Sequence, residues 1–466
     1  MKKISEPRPV ILGAGLAGLS CAYRLATKGI RVIVLEKEAR VGGLAASRES
    51  HGLHYDYGPH RFHSQRKHVI DLLKALMGDK LIIQKRRSEI YLSGKFFVYP
   101  LNTGNILKNM PAPVLLKCFY DYVLARVKSL FDFQVEHSFE SWVVRRFGKT
   151  LYRIFFGTYT QKVLGLPPAQ ISKDWAKERI KLLSLWSVME ETVFASKNPR
   201  RAYANNFYYP GEGGIGGIAE ALKQKIVESG SEILLNADIK SITCEESSRD
   251  KSTVRSVVFE HDGEVREEVV SRLMSTIPIT SLPLLLDSQA LLENRAVFEK
   301  IKFRSLIFAY LVLDMELFSD SQWIYLPEER FFSNRISEPK NFSKHDFPGS
   351  KTILCAEISC DYQGEKWNMD HEEVKRRVLE DIARMGSKKI GAENLIGCFC
   401  HKISHCYPVY TMNYKSDVQA ALGLLGSFEN LDCFGRNGSF KYGNMDDVIE
   451  MGLKAADNFT DKKQRV

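Results

Sequence analysis

The sequence predicts an α/β protein. One sheet is assembled from separated stretches of chain, a mainly helical insertion interrupts it, and an antiparallel sheet follows. Three observations predict this: a strand–glycine–helix–strand run at residues 10–36, helix-period apolar patterns between residues 66 and 205, and long β-rich runs between residues 300 and 410.

The first run reads VILGAGLAGLSCAYRLATKGIRVIVLE. A short apolar strand (Val10, Ile11, Leu12) leads into Gly13, Gly15 and Gly18. A helix pattern follows (Leu19, Ala22, Leu25), and a second apolar strand at residues 32–35 ends in Glu36. Gly13 permits the tight strand-to-helix turn, Gly15 lets a pyrophosphate approach the backbone, and Gly18 lets helix and strand pack closely. Leu16 and Ala17 complete the helix N-terminus, whose N–H groups and dipole favour phosphate charge. Glu36, roughly 20 residues on, can accept from a ribose hydroxyl, with Lys37 beside it. Strand, glycines, helix, strand and acid in this order predict a Rossmann-like dinucleotide site.

The remaining elements follow in turn. Runs such as HVIDLLKALMG and PVLLKCFYDYVLARVKSLF make residues 66–205 a mainly helical insertion. The Gly-rich YYPGEGGIGGIAEALKQKIVESG leads into a helix and a strand at 232–236, and further strands include residues 256–261. SLIFAYLVLD, KTILCAEIS and CFCHKISHC, with a helix at about 371–386, make residues 300–410 a sheet-containing substrate domain. The tail LDCFGRNGSFKYGNMDDVIEMGLKAADNF reads as strand, turn and helix. The dinucleotide-binding domain is thus expected to be discontinuous, over 1–65, 206–299 and 411–466.

At 466 residues the chain can bury the cores of two or three domains. Its charge of +10 suits anionic ligands or an anionic membrane surface. The basic residues are spread out and not gathered in one tract, so no nucleic-acid partner is expected. No stretch approaches the ~18 to 20 apolar residues of a membrane span, which leaves peripheral association as the expected membrane contact. Nine cysteines without a regular framework fit a reducing, cytoplasmic setting. Cys398 and Cys400 read as core residues, and no metal is expected.

Arg40, Gly42, Gly43 and Leu44 follow Glu36 in EKEARVGGLAAS. This Arg-x-Gly-Gly segment resembles that of FAD enzymes of the amine oxidase, protoporphyrinogen oxidase and phytoene desaturase superfamily. The resemblance implies paired glycines passing close to flavin phosphates, and FAD in preference to NAD. It also implies a Rossmann-like (GR2-type) FAD-binding domain, to whose sheet RLMSTIP at residues 272–278 returns the chain.

Within that superfamily the chain is most similar to UDP-galactopyranose mutases. Gly435, Arg436, Gly438, Ser439, Lys441, Tyr442 and Met445, then a helix, resemble that family's C-terminal flavin motif. YDYGPHRFHS, EIYLSGKFFVYPL, SFESWVVRRFG with YTQKVLG, YYPGEGGIGGIAEAL and HCYPVY match further family segments in order, so the resemblance covers roughly residues 8–460. It implies that His60 lies near flavin N5 and Arg436 at the pyrimidine edge, with Tyr442, Asn444 and Met445 in the same flavin site. It further implies that Tyr407, Tyr442 and Arg335 hold a substrate diphosphate, that Tyr159 stacks on its base, and that Asn341 sits in a mobile substrate loop. His60, Arg335, Tyr407 and Tyr442 form the expected catalytic set.

Departures accompany the matches. The positions of a second diphosphate arginine align with Gly157 and about Leu183, with Arg179 or Lys181 as stand-ins. A family tryptophan is Leu164, and a loop tyrosine is Phe342. Two activities therefore stay open. One is rearrangement of a nucleotide-linked or other anionic sugar through reduced flavin N5, with NAD(P)H as a candidate reductant. The other is an FAD-dependent oxidation, dehydrogenation or desaturation on the same scaffold.

Overall fold

The computed structural model describes residues 7–101, 103–131, 136–179, 206–247, 251–386 and 390–463. Strand Arg8–Leu12 lies at the centre of a seven-stranded sheet, paired in parallel with Ile33–Leu35 on one side and Glu264–Ser275 on the other. Val10, Ile11 and Leu12 are fully buried, as a parallel strand covered on both faces requires. Glu232–Leu234 extends the sheet beyond Ile33–Leu35, and Leu431–Cys433 lies against Glu264–Ser275. The 272–278 segment thus returns to the first sheet, as expected.

Strand Glu264–Ser275 serves two neighbours. Its first half closes an antiparallel meander with Asp238–Ser247 and Lys251–His261, and its end runs parallel to Arg8–Leu12. Helices Leu16–Thr27, Gly217–Glu228 and Met445–Lys463 pack together on one face. A Cβ at Gly452 would run into the Ala17 carbonyl oxygen, so the first and last helices approach backbone to backbone.

The second sheet has the order Leu395–Pro408, Phe303–Asp314, Lys351–Cys360, Arg335–Ser337, Trp323–Tyr325, Ser88–Leu92, Lys95–Val98. Phe303–Asp314 is almost wholly buried at its centre. Two features differ from the sequence reading. The pairing of Trp323–Tyr325 with Ser88–Leu92 is parallel, so the sheet is mixed. The insertion opens with the expected helix, Lys67–Met77, but three strands, Leu81–Lys85, Ser88–Leu92 and Lys95–Val98, then precede the next helix at Thr103. The hairpin follows from its turn: Ser93 and Gly94 both have positive φ, 50° and 79°, as a two-residue connection between twisted strands demands.

Helix Phe139–Phe147 is capped by Ser138, whose hydroxyl accepts from Ser141 N at 3.1 Å. The helix expected at about 371–386 spans His371–Met385, with Asp370 as its cap. Among the described residues no helix is long and apolar enough to cross a membrane.

Candidate active site

The dinucleotide fingerprint folds as its residue types dictate. Gly13 N donates to Leu35 O at 2.8 Å, which joins the turn to the second strand. Gly18 is obligatory, because a Cβ there would meet the Gly13 carbonyl oxygen. Gly15 precedes helix Leu16–Thr27, whose N-terminus has no side-chain cap and no acidic residue in its first turn. Its amides are thus available to a phosphate. Leu16 and Ala17 are buried behind the turn. Glu36 is buried and accepts from Ala14 N at 2.7 Å and Glu38 N at 3.0 Å. Burial raises its pKa, although those two N–H groups oppose the shift. Each oxygen keeps a lone pair for a ribose hydroxyl. Lys37 is exposed.

The second glycine pair closes on the first. Gly42 N donates to Ala14 O at 2.8 Å, and a Cβ on Gly43 would stand 3.2 Å from Gly15 Cα. Arg40 Nη1 donates to Ser47 O at 2.9 Å, which holds the loop carrying Gly42, Gly43 and Leu44. From the far end of the chain, Gly435 (φ 76°) comes so near Ala17 that a Cβ would lie 2.9 Å from the Ala17 methyl. Three chain segments thus form one cradle.

Beyond the cradle the ionisable groups converge. His60 Nδ1 donates to the Gly58 carbonyl at 3.3 Å, so Nε2 carries the lone pair. Burial pulls the His60 pKa down to about 4, and Arg335 and Arg436 add to the effect. His60 is therefore neutral at physiological pH. Arg436 donates to the Cys406 carbonyl, and its guanidinium lies 5.1 Å from the Tyr407 ring centroid and 4.9 Å from that of Tyr442. Tyr407 and Tyr442 stack at 6.4 Å, with Trp175 edge-on to both. Tyr442 N donates to the Tyr410 hydroxyl at 2.7 Å. Arg436 Nε and Asn437 Oδ1 are buried and have no partner among the described residues. A buried donor and acceptor left open beside a glycine cradle fit the polar edge of an isoalloxazine.

Arg335 lies within electrostatic reach of His60, but its guanidinium fork is already engaged. Nε and Nη2 donate to the two oxygens of Glu357, both at 2.7 Å. Burial alone would lower its pKa, and the facing carboxylate raises it well above the ordinary value. Tyr159 sits edge-on to Tyr325 at 5.7 Å, as does Tyr99 at 5.3 Å. Asn341 spends its amide on Ser319 O and Ser321 O, both at 2.9 Å. Asn444 immediately precedes the last helix, its backbone N–H donating to Asp447 Oδ2 at 3.0 Å, and Met445 packs into the core beneath.

The departures also have structural reasons. Phe342 stacks on Trp323 in the core, and Leu164 is buried. Gly157 leaves room for the Tyr152 ring. Leu183 and Lys181 lie outside the described residues, as does the Arg179 side chain.

Sequence reasoning missed Arg61, Arg86 and Trp323. Both guanidiniums lie 5.5 Å from the Trp323 ring centroid, and Arg86 also covers Tyr99 at 4.6 Å. The available signal was Arg61 directly after His60, and the basic triplet KRR ahead of EIYL.

A profile of the family described as flavin containing amine oxidoreductase matches residues 16–399. The chain is 23% identical over 301 residues to mitochondrial protoporphyrinogen oxidase of Nicotiana tabacum, covering 60% of this chain and 59% of that protein. It is 26% identical over 167 residues to the probable UDP-galactopyranose mutase of Klebsiella pneumoniae, covering 35% of this chain and 42% of that protein. The matches therefore span about two to three fifths of those relatives. A crystal structure of reduced UDP-galactopyranose mutase superposes with a TM-score of 0.81 at 22% identity, covering 98% of this chain and 94% of that one. A putative protoporphyrinogen oxidase from Exiguobacterium superposes at 0.72 and 15% identity, covering 98% and 99%. At these identities the likeness is one of fold.

Proposed function

The chain belongs to the flavin-containing amine oxidoreductase family and is an FAD enzyme, and on that premise we propose that it rearranges a nucleotide-linked, anionic sugar between pyranose and furanose forms in glycan biosynthesis. The observation that carries this reading is the character of the pocket beside the cradle. It gathers Arg61, Arg86, Arg335 and Arg436 with Tyr99, Tyr325, Tyr407 and Tyr442. Cations and aromatic faces together suit a ligand carrying phosphate and a base.

When bound, reduced FAD supplies a nucleophilic centre for the anomeric carbon. The chain's own residues do the rest. The helix N-terminus before Leu16, Glu36 and the glycine pair would hold the cofactor. Arg436 would lie at its pyrimidine edge and favour negative charge there. Neutral His60 offers a lone pair at Nε2 and does not add a third positive charge between Arg335 and Arg436. Tyr407 and Tyr442 wall the reacting volume with Trp175 behind them, which limits water.

NAD(P)H as reductant belongs to the same proposal, as does a cytoplasmic setting, which nine free cysteines support. So does peripheral contact with an anionic membrane. Helix Ala112–Phe131 exposes Leu116, Phe119 and Leu130 beside Lys117 and Lys128.

The test is anaerobic incubation of dithionite-reduced enzyme with UDP-galactopyranose and other UDP-hexoses, followed by chromatography for the furanose isomer. Formation of an isomer without net flavin oxidation is expected. Substrate-coupled reoxidation without an isomer would replace this reading with the oxidoreductase one.

A further inference from the structure

The cationic pocket holds more positive charge than it neutralises. Arg335 is matched by Glu357. Arg61 and Arg86 are not, and among the described residues neither has a carboxylate within ion-pair distance. Arg86 is 9% exposed, and its Nε donates to Ser88 Oγ at 3.1 Å while Nη2 is buried with no acceptor among the described residues. Trp323 Nε1, on the indole that both guanidiniums approach, is likewise buried with no acceptor among them. Burial and the facing Arg86 charge both lower the Arg61 pKa. Guanidinium does not deprotonate at neutral pH, so the two charges repel each other uncompensated.

Two like charges and two orphaned donors around one indole define a missing group by its chemistry: an acceptor-only, multiply charged oxyanion. The surroundings place it. Arg61 adjoins His60 in the chain, and Arg335 is in electrostatic reach of both. Tyr99 and Tyr325 flank it as aromatic walls. Resting on the nucleotide-sugar reading above, we propose that Arg61 and Arg86 form the oxyanion subsite that takes the substrate's diphosphate. This task would otherwise fall to Arg335, whose fork Glu357 occupies, and to positions now held by Gly157 and Leu183.

The probe is inorganic pyrophosphate, titrated calorimetrically into FAD-loaded protein at low and high salt. Wild type should bind it with an affinity that falls as salt rises. R61Q and R86Q should each weaken binding about 10- to 100-fold, the value of a charge-assisted contact. R61K should be intermediate, because a point charge replaces a fork. FAD content and the flavin spectrum should not change.

A second measurement has the opposite sign from a merely structural role. Without anion, R61M should raise the melting temperature, because it removes an uncompensated charge. Pyrophosphate should raise the melting temperature of wild type only. The proposal is overturned if wild type fails to bind pyrophosphate at millimolar concentration, if R61Q and R86Q bind as wild type does, or if R61M melts earlier. Retained pyrophosphate binding with no isomerisation of any UDP-hexose would count against the proposed reaction and leave the oxyanion subsite standing.

Discussion

Removing Arg335 should damage the fold before it damages any ligand contact. Its two 2.7 Å bonds neutralise Glu357, a side chain 5% exposed on the central strand Lys351–Cys360. The carboxylate lies beside Gly58, so close that a Cβ there would be 2.8 Å from Oε1, and the gap cannot be refilled by a shift of that loop. Breaking one side of a buried pair leaves an uncompensated charge, at a cost of ~3–5 kcal/mol. R335M should therefore lower stability by about that amount in urea unfolding of the apoprotein. R335M with E357L, which removes both charges, should recover most of the loss. A single variant within ~1 kcal/mol of wild type, or a double variant no better than the single, would refute the reasoning.

Three other outcomes are expected. R436A should keep FAD but lower the reduction potential by roughly 30–60 mV, equivalent to ~1.5–3 kcal/mol for a two-electron couple; potentiometry decides, and an unchanged potential places Arg436 elsewhere. G435V should yield colourless protein, because a side chain at φ 76° must also clear a methyl 2.9 Å from its own Cβ; normal FAD content in the purified variant would contradict this. Burial lowers the pKa values of His60, His401 and His405 to about 4. The unfolded chain takes up those protons first, so stability should be full above pH ~6.5 and fall as pH drops toward 4, by ~1–3 kcal/mol per ring after allowance for partial solvent access. A flat melting profile between pH 7 and 5, or an H60Q profile as steep as that of wild type, would count against it.

The cradle was legible because its residues obey local rules. Glycine is demanded where backbone meets backbone, as at Gly18, and an acid is demanded at the end of the second strand. The hairpin of Ser88–Leu92 with Lys95–Val98 was hidden inside a mainly helical stretch, since strands of five and four residues leave little periodicity to read. Arg335 was legible as an arginine of this pocket, but not its partner. Glu357 lies 22 positions later on the adjoining strand, and only cross-strand register brings the two together. Arg61 beside His60 and Arg86 in the KRR triplet were visible as basic residues, but not as a pair. Their meaning is the absence of a counter-ion, a property of three-dimensional neighbourhood and not of residue order.

The approach of Gly435 to Ala17, and of Gly452 to the same first helix, has a consequence for biosynthesis. The phosphate-binding turn leaves the ribosome well before the segment that completes the cradle. Nascent chain can thus present a helix N-terminus to the cofactor, yet the cradle stays open until the Gly435 segment has emerged and folded back against Ala17. A molecule truncated before residue 435 should therefore keep the dinucleotide fingerprint and still fail to retain FAD.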